Sequence, residues 1–541
     1  MHRGHLRLLL GVMVAGMSLA IAGAAGGAPQ RANAGAVVFG AEQEPPCLNG
    51  ALAGCNNTWT SWTAGVSLAS LYIVRPDFSI QPYMANGPAK VTDRSPFTLL
   101  VKIKPKARWS DGRQVTVADL IFTWKAYVNP ANEVASRSGW DSIRRIVTVN
   151  SKTARIIFSK PYAGWKPLLG GSLYPAHALT GENFNEVWNN NYNHPRTGVS
   201  MASGPMRLAS YTRGQTLVIV RNPTFWGKRP SIDRITFRFI TNTDSEIQAI
   251  RGGEVDAIYP QPQLQLAALR GQSGLRTQSR AGTTLEHIDI NTGAGNSNPL
   301  LGQQWFRQAI AYSMDRRAMV RQLFRTLNPG LPVLQNNMYT SNQAEYAAHF
   351  QRYTRNLARV NALFRARNCT KGSDGIYVCA GQRASVRFGT TAGNRLRELA
   401  LEILQAQAKS AGIEFRPDSQ PSRLFFPRIA EKNFDLALYA WVGTGDPAGW
   451  VDIYGCGGES NWKNYCNRTV TNLLRRSDSS LVPKTRASLV NQADAIMATN
   501  VPVIPLYQKP TYFVYKTKLR GLVDNPTLQG PTWNTESWTT S

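Results

Sequence analysis

The sequence lacks the short motifs that mark the commonest catalytic and cofactor sites. It contains no Gly-Xaa-Ser-Xaa-Gly turn for a nucleophilic serine, no His-Glu-Xaa-Xaa-His zinc motif and no Gly-Lys-Ser or Gly-Lys-Thr phosphate loop. The run Gly443-Thr444-Gly445 has neither the helix nor the acidic partner of a dinucleotide site. The few histidines show no ligand spacing, and no Cys-Xaa-Xaa-Cys pair occurs. We therefore expect no enzyme activity, no cofactor and no bound metal.

Acidic residues are also scarce. The chain has 33 of them against 61 lysines and arginines, which gives a net charge of +28. Such a surface attracts polyanions without specificity. The charge is spread along the chain, with no basic tract and no nucleic-acid-binding module, so we expect no nucleic-acid partner. An anionic envelope surface stays open as a neighbour, and a solvated basic surface is the simpler interpretation.

Apolar runs long enough to span a bilayer are missing after the N-terminal region. That region has a basic start, an apolar stretch over 8–25 and the small-residue site Ala32-Asn33-Ala34. This pattern predicts a signal peptide over 1–34 with Gly35 as the first mature residue, and the alternative is an uncleaved membrane anchor. No cysteine follows closely, so we expect no lipid anchor. The expected location is the periplasm or the outer face of the cytoplasmic membrane or cell wall.

Six cysteines fit an oxidising compartment. They allow 15 pairings, and the shortest loops close most easily. We therefore predict the local disulfides Cys47–Cys55, Cys369–Cys379 and Cys456–Cys466.

Two stretches show a strand, a helix and a return to a strand, which is the α/β pattern. In 385–416, a strand at Ser385 to Gly389 precedes a helix with apolar residues from Leu396 to Ala408, and Gly412 stands at the helix end. In 235–258, a strand leads to a short helix that ends at Gly252-Gly253. With 541 residues, at least two cores are expected.

An ordered set of motifs resembles the family 5 solute-binding proteins, the peptide and nickel binders of ABC importers. The segments that carry the resemblance are Trp109-Ser110-Asp111-Gly112, 115–124, Ser203-Gly204-Pro205, Arg221-Asn222-Pro223, Gly253-Glu254-Val255-Asp256, 289–292, 307–316, Phe434-Asp435-Leu436 with Trp441 and Asp446-Pro447, and 501–507. Several also have a plain structural meaning. Ser110-Asp111-Gly112 predicts a turn, and Thr116 predicts the N-cap of a helix that begins at Val117.

The resemblance implies an α/β, two-lobed periplasmic-binding-protein fold of type II, with an extra subdomain and a ligand cleft between the lobes. The implied divisions are 35–74, 199–290 and 505–541 for lobe 1, 75–198 for the extra subdomain, and 291–504 for lobe 2. Two crossover strands would form the hinge. The implied partners are a small-molecule or peptide ligand and an ABC permease in the cytoplasmic membrane, and we expect a monomer.

The resemblance also suggests residues that line the cleft. Trp441, Gly443, Thr444 and Asp446 lie on a strand and its following loop, and Tyr507 lies on the return strand. Trp59 and Trp62 are candidates for the face of the first lobe. For Trp441 and Tyr507 the alternative is a place in a core, and for Trp59 and Trp62 core packing is favoured.

One departure from the family pattern concerns the ligand. Many peptide-binding members have an Asp three residues after this Trp, where the present chain has Thr444, and an Arg seen three residues before it in some members is Leu438 here. The resemblance favours a peptide. The alternatives are a metal chelate, an opine-like compound or an oligosaccharide on the same scaffold, or a basic envelope-associated adhesion or scaffold protein.

Overall fold

The structure is a computed structural model that describes residues 35–328, 330–443 and 446–540. The predicted signal peptide, 1–34, lies outside the described residues. No helix in the described part of the chain combines the length and apolarity needed to cross a membrane.

The strands of the described residues are β1 (Ala36–Ala41), β2 (Tyr72–Val74), β3 (Ile80–Pro82), β4 (Lys90–Arg94), β5 (Phe97–Lys102), β6 (Ile143–Asn150), β7 (Thr153–Phe158), β8 (Met206–Thr212), β9 (Thr216–Arg221), β10 (Arg234–Phe239), β11 (Ala257–Ile258), β12 (Leu275–Gln278), β13 (Ala281–Ile290), β14 (Thr370–Lys371), β15 (Tyr377–Cys379), β16 (Gln382–Arg383), β17 (Ser385–Gly389), β18 (Glu414–Pro417), β19 (Leu436–Val442), β20 (Val503–Pro510), β21 (Phe513–Lys516), β22 (Leu519–Arg520) and β23 (Thr539–Thr540).

The α-helices are α1 (Thr58–Ser67), α2 (Val117–Val128), α3 (Trp165–Leu168), α4 (Ala176–Leu179), α5 (Thr243–Arg251), α6 (Gln304–Ser313), α7 (Arg316–Phe324), α8 (Leu357–Arg365), α9 (Arg395–Ser410), α10 (Ser422–Ala430), α11 (Trp450–Tyr454), α12 (Arg468–Ser479) and α13 (Pro483–Asn500). Short 3-10 turns lie at Ala53–Cys55, Leu264–Leu269, Pro299–Gly302, His349–Arg352 and Thr535–Ser537.

The first lobe is built on a seven-stranded sheet in the order β12-β21-β11-β1-β10-β9-β8. Strand β1 is central and pairs in parallel with both β10 and β11. The crossover from β10 to β11 runs through α5, whose N-cap Asn242 accepts a hydrogen bond from the Ser245 backbone N–H. The predicted strand, short helix and return strand over 235–258 are therefore confirmed.

The second lobe is built on a five-stranded sheet in the order β18-β17-β19-β13-β20. Strand β17, helix α9 and strand β18 form the predicted parallel unit. Gly412 follows α9 with a φ of +84°, a conformation that glycine adopts without steric cost. The two-lobed α/β fold is thus confirmed.

Two strands connect the lobes directly. β12 in the first sheet continues through residues 279–280 into β13 in the second, and β20 returns through 511–512 into β21. The crossovers are hydrogen-bonded to each other, since the Thr511 N–H donates to the Arg280 carbonyl at 3.0 Å and the Arg280 N–H donates to Thr511 Oγ1 at 2.9 Å. β13 pairs along its length with β19 and β20, so it belongs to the second sheet although the sequence prediction gave 281–290 to lobe 1.

The segment predicted as an extra subdomain carries its own four-stranded sheet, in the order β4-β5-β7-β6. Helix α2 packs beside it and starts with the predicted N-cap. Thr116 and Asp119 form a capping box. The Thr116 side chain accepts a hydrogen bond from a backbone N–H of the first turn, and the Asp119 side chain accepts one from the backbone N–H of Thr116. Gly112 has a φ of +90°, as the predicted turn requires. The boundaries of this subdomain stay a prediction.

All three predicted disulfides are present: Cys47–Cys55, Cys369–Cys379 and Cys456–Cys466. Each closes a loop within one local region of the fold. No described cysteine is free.

Candidate functional site

A cavity lies between the two large sheets, beside the strands that connect them. It measures about 960 Å³ when the part open to solvent is counted. Its walls come from the segments after β1 and β11, the start of α1, strands β13, β19 and β20, and residues 526–528. Both lobes therefore contribute to one enclosed space.

Two tryptophans from different lobes face this cavity. Trp62, on α1, packs against Trp59 and Tyr259 with ring centroids 5.0 Å and 5.3 Å away. Trp441, on β19, packs against Trp462 at 5.1 Å. Both indole N–H groups are buried without a partner among the described residues. The cavity thus has an aromatic wall from each lobe.

A buried ion pair forms part of the second lobe's wall. Arg397, on α9, donates to both carboxylate oxygens of Glu286, on β13, and donates to Thr391 Oγ1 at 3.1 Å. Burial alone would raise the pKa of Glu286, but Arg397 and Lys509 outweigh it and the pKa is lowered. The pair is therefore ionised in the folded protein.

A chain of hydrogen bonds crosses from one lobe to the other in the cavity. Lys509 Nζ, on β20, donates to Gln261 Oε1 at 2.8 Å, and Gln261 in turn donates to Glu42. Burial lowers the pKa of Lys509 and raises the pKa of Glu42. Lys509 has no ion-pair partner among the described residues, because its hydrogen bond goes to a neutral amide. Its ammonium can accept an anionic group as a partner.

Of the predicted site residues, some line the cavity, one lies outside the described residues, and the others lie elsewhere in the fold. Trp62 and Trp441 line the cavity. Thr444 lies outside the described residues. Gly443 follows β19, and its N–H donates to the Thr283 carbonyl at 3.0 Å, so it continues the strand pairing beside the cavity instead of forming its wall.

Trp59, Tyr507 and Asp446 are not among the residues that line the cavity. Trp59 is fully buried in the core of the first lobe, against Phe39 and Phe237. Tyr507 is covered by Phe324, whose ring centroid lies 5.0 Å away.

Asp446, the expected partner of a ligand amine, is instead bound by Arg486 at 2.5 Å and accepts from the Ala448 N–H at 2.9 Å. These contacts satisfy its carboxylate within its own lobe. Asp446 therefore lies in an ion pair apart from the residues that line the cavity, and its expected role with a ligand amine stays a prediction.

Several cavity residues were not predicted from sequence. Glu42, Gln261 and Lys509 come from three distant segments, and no local motif marks them. The sequence could have indicated Lys509, because it lies two residues after the proposed site residue Tyr507 and therefore on the same face of a strand. Arg397 was not recognised because a charged residue is expected in an amphipathic helix such as α9.

The extra subdomain touches the second lobe at a separate place, which we call the rim contact and define as residues 135–138 and 162–164 against 446–460 and 475–486. Asp452 accepts hydrogen bonds from the Ser136 hydroxyl and, at 3.0 Å, from the Ser138 N–H. Asp478 Oδ2 accepts from the Ser138 hydroxyl at 3.4 Å, and its carbonyl accepts from the Ala163 N–H at 2.7 Å.

Two of the four carboxylic acids of the rim contact, Asp452 and Asp478, are buried and form no ion pair with a described residue. Burial raises the pKa of Asp452 to about 7, and Glu459 and Asp478 add to the rise. Burial likewise raises the pKa of Asp478 to about 7. Arg137 pairs with Glu459 and Arg486 pairs with Asp446, so the nearby arginines bind the outer acids. Both inner acids therefore stay protonated up to near neutral pH.

A metal site is not built by the described residues, since they contain no cluster of three or more His, Cys, Asp or Glu side chains placed to hold an ion. The cavity offers aromatic faces, amides, hydroxyls and charges of both signs. Such a set binds a ligand by hydrogen bonds and ion pairs.

Comparison with known proteins agrees with this arrangement. The family model described as "Bacterial extracellular solute-binding proteins, family 5 Middle" matches residues 79–462. The oligopeptide-binding protein OppA of Mycobacterium tuberculosis (strain ATCC 25618 / H37Rv) is 26% identical over 487 residues, which cover 86% of this chain and 78% of the relative. OppA of Bacillus subtilis (strain 168) is 21% identical over 461 residues, covering 80% of each chain.

Solved structures share the fold. The oligopeptide-binding protein AppA from Bacillus subtilis, in complex with a nonapeptide, has a TM-score of 0.85 at 18% identity and covers 94% of this chain and 99% of its own. The periplasmic EDTA-binding protein EppA has a TM-score of 0.81 at 22% identity and covers 94% and 96%. The family model matches well over half of the chain, and we conclude that the chain belongs to the bacterial extracellular solute-binding proteins of family 5.

Proposed function

We propose that this protein is the extracytoplasmic substrate-binding component of an ABC importer and that it binds short peptides in the cavity between the two sheets. Proteins of family 5 bind peptides or other small molecules and work with ABC permeases. The observation that carries the proposal is the cavity between the lobes, which is partly open to solvent and has one tryptophan from each lobe and the ammonium of Lys509 in its wall.

The chemistry of the walls suits a peptide. A peptide brings a carboxylate, several amides and side chains of varied shape. Lys509 can pair with the carboxylate, because its present partner is a neutral amide. The rings of Trp62 and Trp441 line the cavity and can pack against the ligand. The aromatic faces bury apolar side chains without demanding one shape.

The connection between the lobes supports closure around the ligand. Among the described residues two crossovers link the sheets, and they are hydrogen-bonded to each other, so bending at 279–280 and 511–512 would move one lobe against the other. The rim contact and the hydrogen bond from the Thr243 N–H to the Gly393 carbonyl would open with that movement. A ligand that touches both walls binds the closed form better than the open form. Such a ligand shifts the population towards closure by that difference in affinity.

The expected cellular setting follows from the same proposal. The signal peptide predicted over 1–34 would export the chain, and the mature protein would work as a monomer at the outer face of the cytoplasmic membrane or in the periplasm. The closed form would then dock on its permease. The basic surface would place the protein near anionic envelope components without determining its ligand.

Native mass spectrometry of the mature protein, purified gently from its host, tests the ligand class. We expect a mass excess that disappears on denaturation and consists of short peptides. A discrete non-peptide adduct would support the importer role but show that the ligand is not a peptide. Titration with a diverse peptide library then gives affinities, and absence of binding to every peptide would overturn the peptide assignment.

A matched pair of variants tests the cavity itself. Lys509→Met removes the buried ammonium, whereas Lys484→Met removes the same charge from an exposed position on α13. A hydrogen bond to a charged group contributes about 1.5–3 kcal/mol, so Lys509→Met should weaken peptide binding at least about tenfold. Lys484→Met should leave the affinity unchanged. If both variants weaken binding equally, and high salt removes it, the basic surface and not the cavity binds the ligand.

A further inference from the structure

A second cavity adjoins the first and shares part of its wall. It measures about 1040 Å³ with its open part included, and lies between α1, the extra subdomain and residues 528–533. Asn56, Trp62 and Leu528 line both cavities. We call the cavity with Lys509 the charged chamber and this one the neutral chamber.

The two chambers differ sharply in chemistry. Glu42, Arg397 and Lys509 line the charged chamber. No charged side chain is among the described residues that line the neutral chamber, where glycine, serine, tyrosine and tryptophan predominate. A charged group that entered it would lose hydration without gaining a counter-charge, which is unfavourable.

Hydrogen-bonding groups in the neutral chamber are left unused. The phenols of Tyr83 and Tyr127 line it and have no hydrogen-bond partner among the described residues, although their rings are held by Trp226 at 5.6 Å and Trp140 at 5.1 Å. Burial raises the pKa of Tyr127 to about 12, so its hydroxyl stays protonated. The rings are therefore fixed while their hydroxyls remain available to a ligand.

The shared wall has the features of a passage. The carboxamide of Asn56 also has no described partner, and Leu528 is 37% exposed although it lies between two cavities. An apolar side chain exposed between two cavities loses little when it moves aside, and it gains when a ligand covers it. The amide of Asn56 can bind the ligand where the ligand passes.

We propose that the two chambers form one composite site for an elongated ligand, with its charged end beside Lys509 and an uncharged, hydrogen-bonding or aromatic portion in the neutral chamber. This proposal rests on the proposed function and narrows its ligand class. For peptides it selects chains that reach from Lys509 into the neutral chamber and have an uncharged distal portion. Short dipeptides would fill only the charged chamber.

The chain offers a precise way to fill the neutral chamber. Gly65 lies on α1 at the chamber wall, and a Cβ added there meets no atom within 4 Å. Gly65→Leu therefore places a side chain in the chamber without a clash at its first carbon. Gly65→Ala is the matched control, because it makes the same backbone change with one methyl group. Tyr127→Phe removes only a hydroxyl and serves as a second variant should Gly65→Leu fold poorly.

The first measurement uses N-acetyl-tyrosinamide, an uncharged aromatic probe, in saturation-transfer NMR and calorimetric titration. We expect binding to the wild type and to Gly65→Ala, a loss of at least tenfold in Gly65→Leu, and a smaller loss in Tyr127→Phe. Absence of probe binding to the wild type, or equal binding to all four proteins, would overturn the neutral chamber as a site.

The second measurement compares N-acetyl-tri-alanine with N-acetyl-hexa-alanine, called tri-alanine and hexa-alanine below, because the acetyl group removes the N-terminal charge that the neutral chamber would disfavour. In the wild type we expect hexa-alanine to bind at least tenfold more tightly. Gly65→Leu should abolish this advantage and leave tri-alanine within twofold. Equal affinity of the two peptides in the wild type, or equal losses for both in Gly65→Leu, would overturn the composite site. If the probe binds but no peptide does, the neutral chamber is a binding site and the proposed peptide ligand is wrong. Failure of the proposed function is therefore distinguishable from failure of the neutral chamber as a site.

Discussion

Two regions of this molecule, the cavity and the rim contact, contain buried carboxylic acids, and their contrast shows what burial does to a carboxylate. In the cavity, Glu286 is bound by Arg397 and lies near Lys509, and its pKa is lowered. At the rim contact, Asp452 and Asp478 have hydrogen bonds but no bound cation, and burial raises the pKa of each to about 7. All three carboxylates are buried. The counter-charge, and not the depth of burial, decides whether the acid is ionised.

The two groups also differ in where they lie in the fold. The cavity pair is internal to the second lobe, where it holds α9 against β13 and keeps charge next to the ligand space. The rim contact forms where the extra subdomain meets the second lobe. A contact that is stable only while its acids are protonated would respond to pH, whereas the cavity pair would not.

The largest expected effect comes from breaking the cavity pair. Arg397→Met leaves Glu286 buried and unpaired, and such a change destabilises proteins by about 3–5 kcal/mol. Chemical denaturation measures it. Arg395→Met is the control two residues away on α9, where the exposed pair with Glu402 contributes at most about 1 kcal/mol. Equal losses in the two variants would contradict the importance of burial.

The next effect is the pH response of the rim contact. Asp452 and Asp478 have folded-state pKa values near 7, above the ordinary value of 3.8, so the folded protein holds protons that the unfolded chain has lost. Their stabilisation is therefore present in full below pH 4 and is lost as the pH rises to about 7. Asp478→Asn removes one of these groups.

Stability measured between pH 4 and pH 7 tests this response. Asp478→Asn should make the fall of stability with pH shallower by up to about 1.4 kcal/mol per pH unit. The charged and titratable groups that surround the pair come from both sides of the contact: Arg137, Asp141, Lys160 and Tyr162 from the subdomain, and Asp446, Glu459, Arg475 and Arg486 from the second lobe. An identical pH slope in the wild type and the variant would refute the protonated pair.

The smallest effect concerns the outer ion pair of the rim. Arg137 donates to Glu459 at 2.6 Å, and both side chains are partly exposed. Glu459→Gln keeps the shape and removes the charge, so it should cost about 0.2–1 kcal/mol at low salt and almost nothing at 1 M salt. Denaturation at two salt concentrations measures this. A loss that persists at high salt would mean that the pair is held more like the one in the cavity.

Local patterns were enough for many elements of the fold. The strand–helix–strand unit over 385–416 is present because its apolar period and its glycine act within a few residues of each other. The same holds for the cap at Thr116 and the three disulfides, whose partners are close in sequence. Trp441 was a candidate because the family resemblance marks its segment, whereas core packing was favoured for Trp62, and both line the cavity in the structure.

Long-range contacts explain the residues whose partners the sequence did not show. The segment 307–316 was noted only for its family resemblance, and the sequence showed no partners for Asp315 and Arg316. In the structure Asp315 caps α7, and Arg316 donates to the carbonyls of Leu334, Pro505, Phe350 and Tyr353 and to Gln335 Oε1. Asp446 similarly binds Arg486, which is 40 residues away. Such partners meet only after the chain has folded.

Sequence alone determined the class of this protein: its α/β units, its local disulfides and the family to which it belongs, because each depends on neighbouring residues or on an ordered set of motifs. Tertiary structure alone decided the chemistry of the site. Glu42, Gln261 and Lys509 become neighbours only when two sheets meet, and the burial that shifts the pKa values of Asp452 and Asp478 arises only where the subdomain touches the second lobe. Burial and counter-charge are properties of the folded chain, and they control which groups a ligand meets.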